Sequence, residues 1–206
     1  GYVTAELFDP ASETFVPIGK SRFAYSATLL VDGTVLLNGG AEASIFDPAI
    51  NQFRQLRSYW KLPPTSAGLL DGSVLFAASG DLPYYPSSWS SLNALYDPAT
   101  QTFKNAPDMS VPHDEGTVTL LKDGRVLIAG GFHGGGPATF SGIFDSAEIY
   151  DPATRTFSWL TAMVLHRQGH RATLLRDGRV LITGGRTAHS NWPPADDTLA
   201  ELFVPE

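Results

Sequence analysis

Cysteine is absent from this chain of 206 residues. Disulfides, thiolate metal ligands and cysteine nucleophiles are thereby excluded. The absence does not assign a compartment. Positive charge is sparse. Lys and Arg total 14 against 21 Asp and Glu, a net charge of −7, and no basic cluster occurs. Phosphate recognition needs concentrated cations, so nucleic acid is not an expected partner. No apolar run approaches the roughly 18 residues that span a bilayer, so membrane insertion is not expected. A signal-peptide pattern is also missing. The chain opens directly in strand-like sequence over residues 2–8, and we expect a piece of a longer protein.

What is present is globular in composition. Hydrophobic residues make up 43% and charged residues 17%, so the chain can bury a core. With 20 glycines and 15 prolines, it should turn often. The mild acidity reads as a solubility feature.

An internal repeat dominates the sequence. An aromatic-Asp-Pro triplet with a second aromatic five residues after the Pro occurs four times. The copies are Phe8-Asp9-Pro10 with Phe15, Phe46-Asp47-Pro48 with Phe53, Tyr96-Asp97-Pro98 with Phe103, and Tyr150-Asp151-Pro152 with Phe157. A degenerate fifth copy, Ala200-Glu201-Leu202-Phe203-Val204-Pro205, echoes Ala5-Glu6-Leu7-Phe8-Asp9-Pro10. A second marker, Asp-Gly, occurs at 32–33, 71–72, 123–124 and 177–178, with spacings of 39, 52 and 54 residues. Each Asp-Gly precedes an aliphatic run ending in small residues, such as Val126-Leu127-Ile128 before Gly130-Gly131.

Each unit reads as four strands, A to D. Strand A is expected at 24–30, 66–70, 117–121 and 170–175. Asp-Gly should close a two-residue primed hairpin, because Gly supplies positive φ without steric cost. Strand B is β-branched and aliphatic, as befits a strand covered on both faces. Strand C runs into Asp-Pro, where Asp bonds the backbone ahead and Pro presets φ. Strand D carries the second aromatic, expected between neighbouring units. The repeat units span approximately 1–20 (partial), 21–57, 64–105, 114–160 and 168–206, in one domain over 1–206. The tally is C-D, three sets of A-B-C-D, then A-B-C.

These residues resemble the kelch repeat, particularly in its bacterial form, over nearly the whole chain. Unit two departs from the pattern, with a strand A one residue short and Ala78-Ser79-Gly80 in place of the double glycine. The resemblance implies an all-β, kelch-type β-propeller. About four four-stranded antiparallel blades with an extra C-terminal strand are expected here. Kelch rings more often hold about five to seven blades, so a fragment is the favoured account. An incomplete ring would leave room for strand exchange or self-association. The resemblance extends to galactose oxidase-like copper enzymes, whose radical cofactor needs a cysteine crosslinked to tyrosine. This chain has no cysteine, so that cofactor cannot form within it.

The A–B and C–D turns are short and uniform and share one face. The opposite face carries the B–C and D–A loops, which differ in length and chemistry. Variable loops on a rigid scaffold are where function usually sits. The expected ligand-binding residues are Tyr59, Trp60, Tyr84, Tyr85, Trp89, Phe132, Arg167, Arg186 and Trp192. Aromatic rings among polar groups suit a glycan or a protein ligand, though each ring taken singly also fits packing of a loop onto its blade. His113, Asp114 and His133 are the metal candidates. His166 and His170 are four apart on a loop running into a strand and not on a helix, and the intervening Arg167-Gln168-Gly169 lacks the Glu of a zinc-protease motif. Arg22, His113 and Arg167 align near strand A, where they can bind an anion or pair with a carboxylate of the fold. No nucleophile elbow, phosphate loop or glycosidase pair is present. The reading is a non-catalytic binding module without cofactor, extracellular or periplasmic in a bacterium. The alternatives are the propeller portion of a carbohydrate-active or oxidase-like enzyme, and a structural scaffold.

Overall fold

A computed structural model describes residues 2–22, 24–39, 42–56, 62–78, 93–133, 142–187 and 199–205. The side chains of residues 2, 3, 21, 22 and 133 lie outside that description. Among the described residues there are seventeen strands and no helix. In chain order they are β1 (Tyr2–Asp9), β2 (Thr14–Arg22), β3 (Ser26–Leu29), β4 (Val35–Asn38), β5 (Ala43–Asp47) and β6 (Gln52–Leu56). Next come β7 (Thr65–Gly68), β8 (Val74–Ala77), β9 (Ala94–Asp97), β10 (Thr102–Asn105), β11 (Thr117–Leu120) and β12 (Val126–His133). The last are β13 (Gly142–Asp151), β14 (Thr156–Trp159), β15 (Arg171–Leu174), β16 (Val180–Thr183) and β17 (Glu201–Phe203).

The sheets reproduce the repeat strand for strand. β1 and β2 form a two-stranded sheet. β3 to β6, β7 to β10 and β11 to β14 form four-stranded sheets, and β15 to β17 a three-stranded one. Pairing between neighbours is antiparallel throughout. The innermost strands pack in the order β3, β7, β11, β15. This is the blade arrangement of a β-propeller.

Side-chain alternation along strand B holds the blades together. Val74 and Phe76 of β8 join a core with Leu36 and Ile45 of the preceding blade. Leu75 and Ala77 point the other way, into a core with Val126 and Ile128 of the next. Leu127 and Ala129 of β12 repeat the step toward Val180 and Ile182. A strand that feeds two interfaces must be apolar on both faces, hence the uninterrupted aliphatic runs. The paired aromatics of strands C and D seal these layers. Tyr96–Phe103 and Tyr150–Phe157 each lie 4.9 Å apart between ring centroids. Nearer the axis, strands A are tied by polar side chains. Thr28 and Ser66 share a 2.8 Å hydrogen bond, and Thr117 and His170 one of 3.1 Å.

Two local expectations are corrected. The Asp-Gly turns are not two-residue primed turns. Leu30 N–H bonds Thr34 O, Gly33 N–H bonds Leu30 O, and only Gly33 has positive φ, at 84°. That is a three-residue loop, a type I turn closed by a glycine bulge. The Asp32 carboxylate fixes it by accepting the Thr34 N–H at 2.9 Å. The same bonds recur at Gly72, Gly124 and Gly178. The second correction concerns Phe132, expected in a loop. Gly130 and Gly131, both at positive φ, form a bulge instead of ending the strand, and β12 continues through Phe132, paired with Ile143.

Candidate loop face and the carboxylate clamps beneath it

The loop face rises from the ends of strands B and C and from the segments that lead into strand A. Two of those lead-in segments are clamped in the same way. In the blade of β11 to β14, Glu148 projects from strand C and accepts the backbone N–H of Ser110 (3.1 Å) and Val111 (3.3 Å). His113 then places Nε2 3.3 Å from the same carboxylate and donates from Nδ1 to Gly130 O at 2.5 Å. Both residues are fully buried. Both ring nitrogens face oxygen atoms, one of a backbone carbonyl and one of a carboxylate. Burial alone would raise the Glu148 pKa. The hydrogen bonds from His113, Ser110 and Val111 outweigh it and hold the carboxyl below its ordinary value.

One blade on, Glu201 repeats the design. It accepts the N–H of Val164 at 2.6 Å and of Leu165 at 3.2 Å. The Arg167 Nε–H meets it at 3.0 Å. The remaining guanidinium nitrogens donate to Gly184 O at 2.7 Å and to Leu199 O. Arg167 is fully buried, and its three guanidinium nitrogens each donate to an oxygen of the fold. The neighbouring segments are also stitched together. Gln168 Nε2 donates to Glu115 Oε2 at 3.0 Å, and the backbones of Gln168 and Arg186 bond each other. His170 is buried too, and burial, with Arg167 close by, lowers its pKa to about 4.

The expected site residues fall into two groups. Tyr59, Trp60, Tyr84, Tyr85, Trp89 and Trp192 lie outside the described residues. Within the described part, Phe132 is half-buried in β12, Arg167 is enclosed in its clamp, and Arg186 is exposed, with its backbone bonded to Gln168. Of the metal candidates, His113 is committed to Glu148 and Gly130. Asp114 exchanges backbone bonds with Phe132, and the His133 side chain is not described. Among the described residues no three His, Cys, Asp or Glu side chains converge as ligands for a metal ion. Sequence reading missed Glu148 and Glu201. The available signal was an Ala-Glu two residues before the strand-C aromatic, matched to a His or Arg four residues before strand A.

No family model and no curated protein sequence matches the chain. Solved structures do. One of them is a fungal alcohol oxidase of the AA5 family in complex with copper, with a TM-score of 0.57 and 14% identity over the whole of this chain. This chain spans 57% of that one. At such identity the likeness shows the fold alone, and the class so defined is the β-propeller.

Proposed function

We propose that this chain is a non-catalytic binding module that presents its B–C and D–A loops to a glycan or protein ligand. The observation that carries the reading is the asymmetry of the two faces. The A–B and C–D turns are near copies of one another, with the same bonds at every Asp-Gly and Asp-Pro. The other face starts from lead-in segments held by the two carboxylate clamps, and its loops share neither length nor sequence. Rigid bases under divergent, aromatic-rich loops suit recognition, with Trp60, Trp89 and Trp192 as stacking anchors.

Tryptophan fluorescence tests it by titration with a panel of oligosaccharides, with and without calcium or copper. A saturable change in emission that Trp89→Ala or Trp192→Ala abolishes without unfolding would support a glycan site. A flat response throughout would remove the glycan and leave a protein ligand. If binding were found and survived both substitutions, the loop-face reading would fall.

A second reading draws on the structural likeness. The chain is then the propeller portion of an oxidase-like enzyme whose remaining parts supply the chemistry. The described residues do not themselves fit a copper site. This reading expects stoichiometric copper and alcohol turnover in the longer protein, lost on changing His133.

A further inference from the structure

Two consecutive blade junctions differ at one matched pair of positions. On strand D, Arg54 follows Phe53 in β6, and Lys104 follows Phe103 in β10. Their counterparts on the C–D turn of the next blade are Gln101 and Arg155, both with φ of 55°. At the first junction the pair ties the blades together, because Arg54 Nη1 donates to Gln101 Oε1 at 2.8 Å. At the second junction both members are cations and cannot bond each other. Neither the Lys104 nor the Arg155 side chain makes a hydrogen bond or an ion pair among the described residues. The cavity that both of them line measures about 860 Å³, against about 460 Å³ for the one beside Arg54 and Gln101. It lies between two complete blades, β7 to β10 and β11 to β14, on the side of the A–B and C–D turns.

The rest of the cavity suits a ligand that is apolar at one end. Leu69, Leu95 and Ala106 line it where the two blades pack. Tyr150 also lines it and is 1% exposed, and its hydroxyl has no hydrogen-bond partner among the described residues. Burial raises the Tyr150 pKa, with Asp71 and Asp151 adding to the rise and Arg155 opposing it, so the hydroxyl stays protonated beside the guanidinium. The carboxylates on the rim are engaged elsewhere. Asp32, Asp71 and Asp97 accept the N–H groups of Thr34, Ser73 and Ala99 at 2.9, 2.9 and 3.0 Å. The Thr100 hydroxyl leads the influences that lower the Asp97 pKa, and Lys104 comes last among them.

We propose that this cleft binds a small organic carboxylate. Lys104 and Arg155 donate to the carboxylate, which cancels the repulsion between the two cations. The Tyr150 hydroxyl is a further donor, and the apolar body of the ligand rests on Leu69, Leu95 and Ala106. An apolar wall with a few convergent polar groups is the usual form of a small-molecule site. The site is separate from the loop face and stands or falls independently of it.

The test is titration of the full chain with 4-fluorobenzoate, followed by fluorine NMR, with backbone amide shifts locating the contact. A saturable response is expected, with shifts at Lys104, Ala106 and Arg155, and none with the neutral 4-fluorobenzamide. Lys104→Gln and Arg155→Gln should each weaken binding about tenfold. The double variant Lys104→Arg, Arg155→Gln rebuilds the closing pair of the preceding junction and should abolish binding with an unchanged circular dichroism spectrum. Trp89→Ala and Trp192→Ala, which probe the loop face, should leave the titration as it was. The absence of a saturable response overturns the proposal, as does an equal response to 4-fluorobenzamide. So does binding that survives both single substitutions, or that is lost in the tryptophan variants.

Discussion

Arg167 and Glu201 lie 34 residues apart and meet at 3.0 Å, and the carboxylate that pairs with the guanidinium also holds the backbone leading to it. Removing the carboxylate leaves a buried cation facing only carbonyl oxygens. Glu201→Ala should therefore cost about 3 kcal/mol, read as a lower midpoint in urea unfolding. Replacing both partners, as in Arg167→Met with Glu201→Leu, should cost less than the single change, because no charge is stranded. A double variant as unstable as the single one would show that the clamp acts through the Val164 and Leu165 backbone instead.

Acid should weaken the fold in two separable stages. His170 has a folded pKa of about 4 against 6.5 for the free side chain. Between those values the unfolded chain binds a proton that the folded chain refuses, so stability falls as pH drops from 6.5 to about 4 and then levels off. The shift amounts to roughly 3 kcal/mol at most. Glu148 has a folded pKa below its ordinary 4.5. Its contribution is complete above 4.5 and is lost as pH falls through the folded value. Urea midpoints measured from pH 3 to 8 should show both stages, His170→Gln abolishing the upper one and Glu148→Gln the lower.

Glycine substitutions should rank by what a Cβ would meet. At Gly131, with φ of 115°, it would lie 2.6 Å from the His113 carbonyl carbon. At Gly178, with φ of 96°, the nearest atom is Lys122 Cδ at 3.5 Å. Gly178→Ala should cost about 1 kcal/mol, the strain of the backbone alone. Gly131→Ala adds a backbone clash and should cost about 3 kcal/mol or more, both read from urea unfolding.

Trp159 supplies an internal control for the ligand titration. It stands at the end of β14, the outer strand of its blade, paired with Glu148, and is 55% exposed. Trp159→Phe should reduce total emission and leave any ligand-induced change intact. Loss of that change would move the binding surface to the outer flank of the blade.

The strand order was legible because two local markers, Asp-Gly and Asp-Pro, recur in phase with alternating aliphatic runs. Such signals depend only on near neighbours in sequence. The turn type at Asp32-Gly33 was not, since the same dipeptide serves a primed turn and a bulged type I turn. The choice depends on whether Leu30 pairs with Thr34. Phe132 was misplaced for a related reason: paired glycines end one strand and merely bulge another. The partners of His113 and Arg167 were left open because His113 and Glu148 are 35 residues apart, and only the blade brings them together. The loop aromatics Tyr59, Trp60, Tyr84, Tyr85, Trp89 and Trp192 remain a reading of sequence.

Each apolar core described above is shared by two consecutive blades and by no third. Such a chain is a one-dimensional lattice with nearest-neighbour coupling, so its free energy is close to a sum over blades and junctions. Cooperativity then decays along the series. The junction of β8 with β12 has a packed blade on either side and should keep its amide protons longest in exchange with deuterium. Protection should decline toward β3 in one direction and β17 in the other.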